Sequence, residues 1–233
     1  MRKTLPYVSF FLLFLTASLL FSAVSGVFAA PRAVATDAAP ALPVIVLDAG
    51  HGGMDGGTSG GSGVAEKDLN LAVTKKLAAL FRAAGYTVVE TRTDDRLLSG
   101  DAPKGKRKQA DLENRLAVSK AHPGSIFISI HMNAYPLPDC EGLQVWYSQN
   151  NEDSALYATA VQEGVRALLQ QGNNRKIKAA TSSIYLLRYA ENPAILIECG
   201  FLSTPAEEAL LCSEAYQKRL ALAIFSSLDK KIG

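Results

Sequence analysis

Three polar residues of this chain stand just past apolar runs, a fourth closes a Gly/Ser loop, and their types belong together. Residues 44–47, Val-Ile-Val-Leu, lead into Asp48-Ala49-Gly50-His51-Gly52-Gly53, and a Gly/Ser loop over residues 56–63 returns at Glu66. The run 126–130 ends in His131-Met132-Asn133-Ala134, and the run 194–197 ends in Glu198-Cys199-Gly200-Phe201. Two histidines and one glutamate form a catalytic zinc set that leaves a coordination position open for water. The other glutamate could act as base for that water. The chemistry in view is metal-assisted hydrolysis.

Taken singly, the four residues carry unequal weight. His51 among glycines has the ordinary reading of a surface or hydrogen-bonded residue. Glu66-Lys67-Asp68 equally suits a helix start, where acid faces the positive end of the helix dipole. His131 closes a five-residue apolar run, where a buried ring needs a partner. Glu198 directly follows Ala-Ile-Leu-Ile, a costly place for an acid unless a metal, a cation or a catalytic role keeps it there. The chain has 3 histidines, and His122, before Pro123, reads as a solvated turn residue.

The elements that would position these residues alternate. Continuous apolar runs predict strands over residues 44–47, 86–90, 126–130, 143–147, 184–187 and 194–197. Helical spacing predicts helices over 67–84, 111–121, 153–169, 205–211 and 214–232, with Gly85 ending the first. Such alternation implies an α/β domain whose mainly parallel sheet is flanked by helices on both faces. Ligands of such sheets bind at the carboxyl ends of strands, which is where His51, His131 and Glu198 fall.

Arg2 and Lys3 precede an apolar stretch with no further charge until Arg32. Residues 1–29 therefore read as an export signal or membrane anchor, and the Ala/Pro-rich residues 30–42 as a linker to a domain over 43–233. Without residues 1–29 the 24 basic residues become 22, equal to the 22 acidic ones. No global field draws the domain to nucleic acid. The local exception is Lys104-Gly105-Lys106-Arg107-Lys108, whose plain reading is a solvated loop and whose sharper reading is an anionic contact beside the site. Three cysteines, Cys140, Cys199 and Cys212, do not describe a disulfide framework; a Cys140–Cys212 pair is left open.

Asp48–Gly53, Glu66-Lys67-Asp68, Ser129–Ala134 and Glu198–Ser203 together resemble the zinc-dependent N-acetylmuramoyl-L-alanine amidases of type 3, over residues 43–233. The compact size, the single export segment and the lack of wall-binding repeats further resemble the germination-specific members that act on spore cortex. The resemblance implies a single α/β domain with a mixed sheet. It implies that His51, Glu66 and His131 hold Zn2+ and that Glu198 is the general base and then the proton donor. Asn133 and Arg115 match positions near the family's cleft, which implies substrate contact. Two departures stand out. Thr204 occupies the place of an Asn, and only residues 135–141 separate the second motif from the next strand, where division-associated relatives carry a blocking helix.

The resemblance also implies cleavage of the amide between N-acetylmuramic acid and L-alanine of peptidoglycan, in cortex maturation through muramic-lactam formation or in wall remodelling. An exported chain would act at the outer face of the cytoplasmic membrane or in the cell wall, and in a spore former in the forespore intermembrane space. Control would fall to an activating partner protein or timed expression, and a downstream deacetylase would complete lactam formation. Two other readings fit the same residues: a zinc peptidase acting on the stem peptide, with Arg92, Arg115 or Arg188 reading a terminal carboxylate, and a non-catalytic wall-binding domain.

Overall fold

The apolar run after Pro43 forms strand β1 (Ile45–Ala49), every residue of which is buried, in a computed structural model that describes residues 41–136 and 140–233. The expected export segment, and the linker as far as residue 40, lie outside the described residues. Strand β2 (Val88–Glu90) and strand β3 (Ile126–Asn133) flank β1 in parallel. Strand β6 (Ala194–Phe201) continues in parallel beside β3. Strand β4 (Gln144–Tyr147) runs antiparallel to β6, and the two-residue strand β5 (Lys178–Ala179) pairs with its outer edge. The single domain is thus a six-stranded, mostly parallel sheet in the order β2-β1-β3-β6-β4-β5.

Alternation along the strands assigns each face its helices. Ile45, Leu47, Ile128, Ile130, Ile195 and Ile197 pack on one side against helices α1 (Glu66–Ala83), α3 (Asp153–Leu168) and α6 (Glu214–Ile232). Helix α5 (Pro205–Cys212) adds Leu211 to that core. Val46, Phe127, Ala194 and Leu196 face the other way, beneath helix α2 (Arg107–Lys120) and the short helix α4 (Tyr185–Tyr189). Asp48, Ser129, His131 and Glu198 share the parity of this second set. Their face is the more thinly covered one. Among the described residues no helix is long and apolar enough to cross a membrane.

Two expectations need correction, and one element was unforeseen. Residues 184–187 are not a strand: Leu186 and Leu187 belong to α4 and cap the second face. A four-residue apolar run cannot distinguish a strand from one buried helical turn. The edge strand β5 was not expected, because two residues carry no periodicity. His122 is half-buried rather than solvated, with Nδ1 2.9 Å from the Val118 carbonyl at the end of α2. Cys140, Cys199 and Cys212 are free thiols.

Candidate metal centre

The register of β3 and β6 places His131 directly beside Glu198. His51 follows β1 on the adjoining strand end, and Glu66 opens α1 after the Gly/Ser loop. His51, Glu66 and His131 each offer a donor atom, and these atoms lie within 4.8 Å of one another. Glu66 Oε1 is the hub, 2.9 Å from His131 Nδ1 and 3.3 Å from His51 Nε2. The two imidazoles meet edge to face with centroids 4.9 Å apart. The sequence thus names a set that the fold brings together from three separate elements.

Glycines create the space. A Cβ on Gly50 would lie 2.2 Å from His131 Nε2. One on Gly57 would lie 2.4 Å from Glu66 Oε2 and 2.8 Å from His51 Cδ2. The donor rings and the carboxylate occupy the volume that side chains at these positions would fill. His51 itself is the one non-glycine residue with positive φ among the described residues, at 60°. That conformation is strained for most residues and is tolerated when the surroundings fix it.

Two buried arginines and one asparagine do the fixing. Arg115, 1% exposed, donates through Nη2 to the His51 carbonyl at 2.7 Å and through Nη1 to the Ala49 carbonyl at 2.8 Å. Its remaining bonds go to Asp48 and Asp111. Arg92, also 1% exposed, donates through Nη2 both to the Gly50 carbonyl at 3.0 Å and to the Lys67 carbonyl at 2.8 Å. One nitrogen therefore ties the residue before His51 to the residue after Glu66. Asn70, one turn beyond Glu66 on α1, donates from Nδ2 to the Gly50 carbonyl and to Glu66 Oε1. Thr58 and Met132 donate their amides to the two oxygens of Glu66. Asp55 Oδ2 lies 3.0 Å from His51 Nδ1.

Arg115 was expected to touch substrate, and its guanidinium is instead directed beneath the His51 turn. Asn133 lies two residues past His131 on β3, beyond a register shift, and its carbonyl accepts the Leu202 amide. Asn70 and Asp55 were not singled out as site residues, and Arg92 only as a carboxylate reader in the peptidase reading. Asn70 had one readable signal, a polar residue one turn after Glu66 on the face that carries Leu69 and Val73 inward. Thr204, in place of Asn, accepts no capping bond from α5 and donates its hydroxyl to the Cys140 carbonyl at 2.6 Å instead.

Electrostatics separate the two glutamates. Burial alone would raise the Glu66 carboxyl, but the hydrogen bonds and charges of His131 and His51 hold it well below the usual carboxylate range. Burial pushes Glu198 up to about 7, and the nearby Glu66 charge adds to this while the two histidines oppose it. Glu198 Oε2 is buried without a hydrogen-bond partner. His51 is raised, since Glu66 and Asp55 outweigh its burial. The donor set, the orphaned oxygen and the glycine cradle together fit a divalent cation with one carboxylate left free beside it. The arrangement suits metal-assisted hydrolysis.

Comparison with known proteins agrees. The chain matches the N-acetylmuramoyl-L-alanine amidase family over residues 45–230. It is 35% identical over 187 residues to the germination-specific N-acetylmuramoyl-L-alanine amidase of Bacillus subtilis, across 79% of this chain and 78% of that protein. Among solved structures it resembles the CwlD amidase from Clostridioides difficile, in complex with the GerS lipoprotein, with a TM-score of 0.77 and 36% identity over 81% of this chain and 98% of that one. The amidase AmiC2 of Nostoc punctiforme gives a TM-score of 0.69 at 30% identity, over 81% of this chain and 96% of that one. The chain belongs to the N-acetylmuramoyl-L-alanine amidase family, and it is an enzyme of that class.

Proposed function

We propose that this amidase uses Zn2+ held by His51, Glu66 and His131, with Glu198 moving the proton, to separate the stem peptide from N-acetylmuramic acid. The observation that carries the reading is Glu198 Oε2, a buried and unpartnered carboxylate oxygen in register with His131. Zinc bound there would polarise the scissile carbonyl and lower the pKa of water toward ~7. Glu198, with its own pKa brought to about 7, accepts a proton from the attacking water. It then returns that proton to the amide nitrogen as the carbon–nitrogen bond breaks. The water oxygen ends in the lactyl carboxylate, and the peptide departs with a free L-alanine amine. Asn133, on the rim beside His131, is assigned to substrate contact, and Arg115 to holding the His51 turn.

The germination-specific relative favours spore cortex as the setting. The product there would be peptide-free muramic acid, which a separate deacetylase would carry on to the muramic lactam. A lipoprotein partner of the kind bound to the Clostridioides difficile amidase is the activator we assign. Residues 1–29 would export or anchor the chain, 30–42 link it, and 43–233 form the catalytic domain outside the cytoplasmic membrane. Cortex of normal lactam content from spores lacking the chain would remove the cortex assignment.

Two measurements test the metal. Stripping the chain with a chelator is expected to abolish hydrolysis, and added zinc to restore it. His131→Ala is expected to purify without zinc; full metal content in that variant would remove His131 from the ligand set. Arg92→Lys keeps the charge but loses the fork that joins Gly50 to Lys67. Zinc affinity, measured by chelator competition, is expected to fall about 10–100-fold with the far-ultraviolet spectrum unchanged. Wild-type affinity in that variant would show that the bridge does not set the distance between His51 and Glu66.

A further inference from the structure

The basic stretch at residues 104–108 borders the metal centre. It forms a single helical turn, Lys104–Lys106, that runs directly into α2. On α2, Lys108, Asp111, Leu112 and Arg115 share the stripe that lines a cavity together with His51, Asp55 and His131. Arg107, on the neighbouring side, reaches Met54 Sδ at 3.6 Å, three residues past His51. The stretch therefore flanks the loop 51–55 from two directions.

The Lys108 charge helps to hold the Asp55 carboxyl below its usual range, but no direct ion pair ties down the lysines. Lys104, Lys106 and Lys108 are exposed, and among the described residues no carboxylate lies within ion-pair distance of them. The acids of the cavity are already engaged, Asp55 with His51 and both Asp48 and Asp111 with Arg115. Nor does the local structure favour the cations. They stand at the start of α2, where the helix dipole is positive and the first turn holds no acid, the end at which basic residues oppose helix formation. A sequence that places cations against local preference, beside a catalytic cluster, has a functional reason to do so. The missing anion is expected from the ligand.

We propose that Lys108, supported by Lys104 and Lys106, forms a cationic subsite at the mouth of the metal cavity that binds a free carboxylate of the stem peptide. The inference rests on the amidase reading and names the part of the substrate that the cleft prefers. The subsite adds to binding rather than to the proton transfer, so its effect falls on KM. Being exposed, it weakens with ionic strength.

The test uses the zinc-loaded full chain and two disaccharide-peptides that differ only in whether the stem carboxylates are free or amidated. Release of the whole stem is followed by mass spectrometry at low and high salt. The wild-type chain is expected to favour the free-carboxylate substrate in kcat/KM by roughly fivefold at low salt, and less at high salt. Lys108→Gln is expected to reduce that ratio toward one through KM, and Lys108→Arg to retain it. Equal rates on both substrates with the wild-type chain would overturn the subsite. An undiminished preference in the triple variant Lys104→Gln/Lys106→Gln/Lys108→Gln would also overturn it. Cleavage of neither substrate, or cleavage within the stem, would overturn the amidase reading itself and is distinguished by the products. Protection by a phosphate-rich wall polymer but not by the carboxylate peptide would assign the lysines to phosphate instead.

Discussion

Glu198→Gln is expected to lower kcat by about 10²–10⁴-fold while the chain keeps its full zinc content. Glutamine preserves the volume and the β6 register that sets residue 198 beside His131, but it cannot accept the water proton. A variant retaining most of its activity would show that another group carries the proton. The same exchange has a second readout in the metal-free chain. The folded pKa of Glu198, about 7, stands above its ordinary value of 4.5, so folding favours the protonated form. That contribution is fully present below pH 4.5 and is lost as pH rises through 7. Above pH 7 the buried charge destabilises the wild-type chain by as much as about 3 kcal/mol. Glutamine carries no such charge. Unfolding free energies of metal-free wild type and variant are therefore expected to coincide near pH 4 and to diverge above pH 7, with the variant the more stable. Equal stability at pH 8 would mean that Glu198 is not desolvated.

Gly50→Ala is expected to weaken zinc binding by about 100-fold or more. The added methyl would sit 2.2 Å from His131 Nε2 and Cε1 and 2.7 Å from Cδ2, well inside contact distance for non-bonded atoms. The ring cannot retreat freely, because Ile130 and Met132 on either side are buried and Glu66 stands 2.9 Å from Nδ1. Backbone strain is not involved, since Gly50 is not among the residues with positive φ. Gly56→Ala is the control. Its Cβ would meet nothing within 4 Å, and zinc affinity should stay at the wild-type level. Wild-type affinity in Gly50→Ala would place the His131 ring elsewhere.

Much of the site was legible because its residues break the pattern around them. His131 and Glu198 follow runs that are apolar apart from Ser129, and a metal, a cation or a catalytic role is what offsets the solvation cost of such placement. The α/β class followed from alternating periodicities, and the parallel core from strands apolar on both faces. The supporting shell was hidden for a different reason. Arg92 and Arg115 were read only as residues that contact substrate, because what buries them is the carbonyl cluster of the 49–51 turn, which exists only once β1, α1 and α2 are assembled. Asn70 shows only its inward-facing position one turn after Glu66, since its other partner, the Gly50 carbonyl, is 20 residues away. Residues 184–187 misled because apolar content alone does not reveal whether the chain extends or turns. The strained φ of His51 left no trace beyond its flanking glycines.

The most direct test of the central claim is the identity of the products. Zinc-loaded chain is incubated with peptidoglycan, including spore cortex material, and the soluble products are analysed by mass spectrometry. The expected result is intact stem peptide with a free L-alanine amine, absent after chelation and absent with Glu198→Gln. Shortened stems with the muramyl amide left whole would contradict the account, as would release that persists without metal.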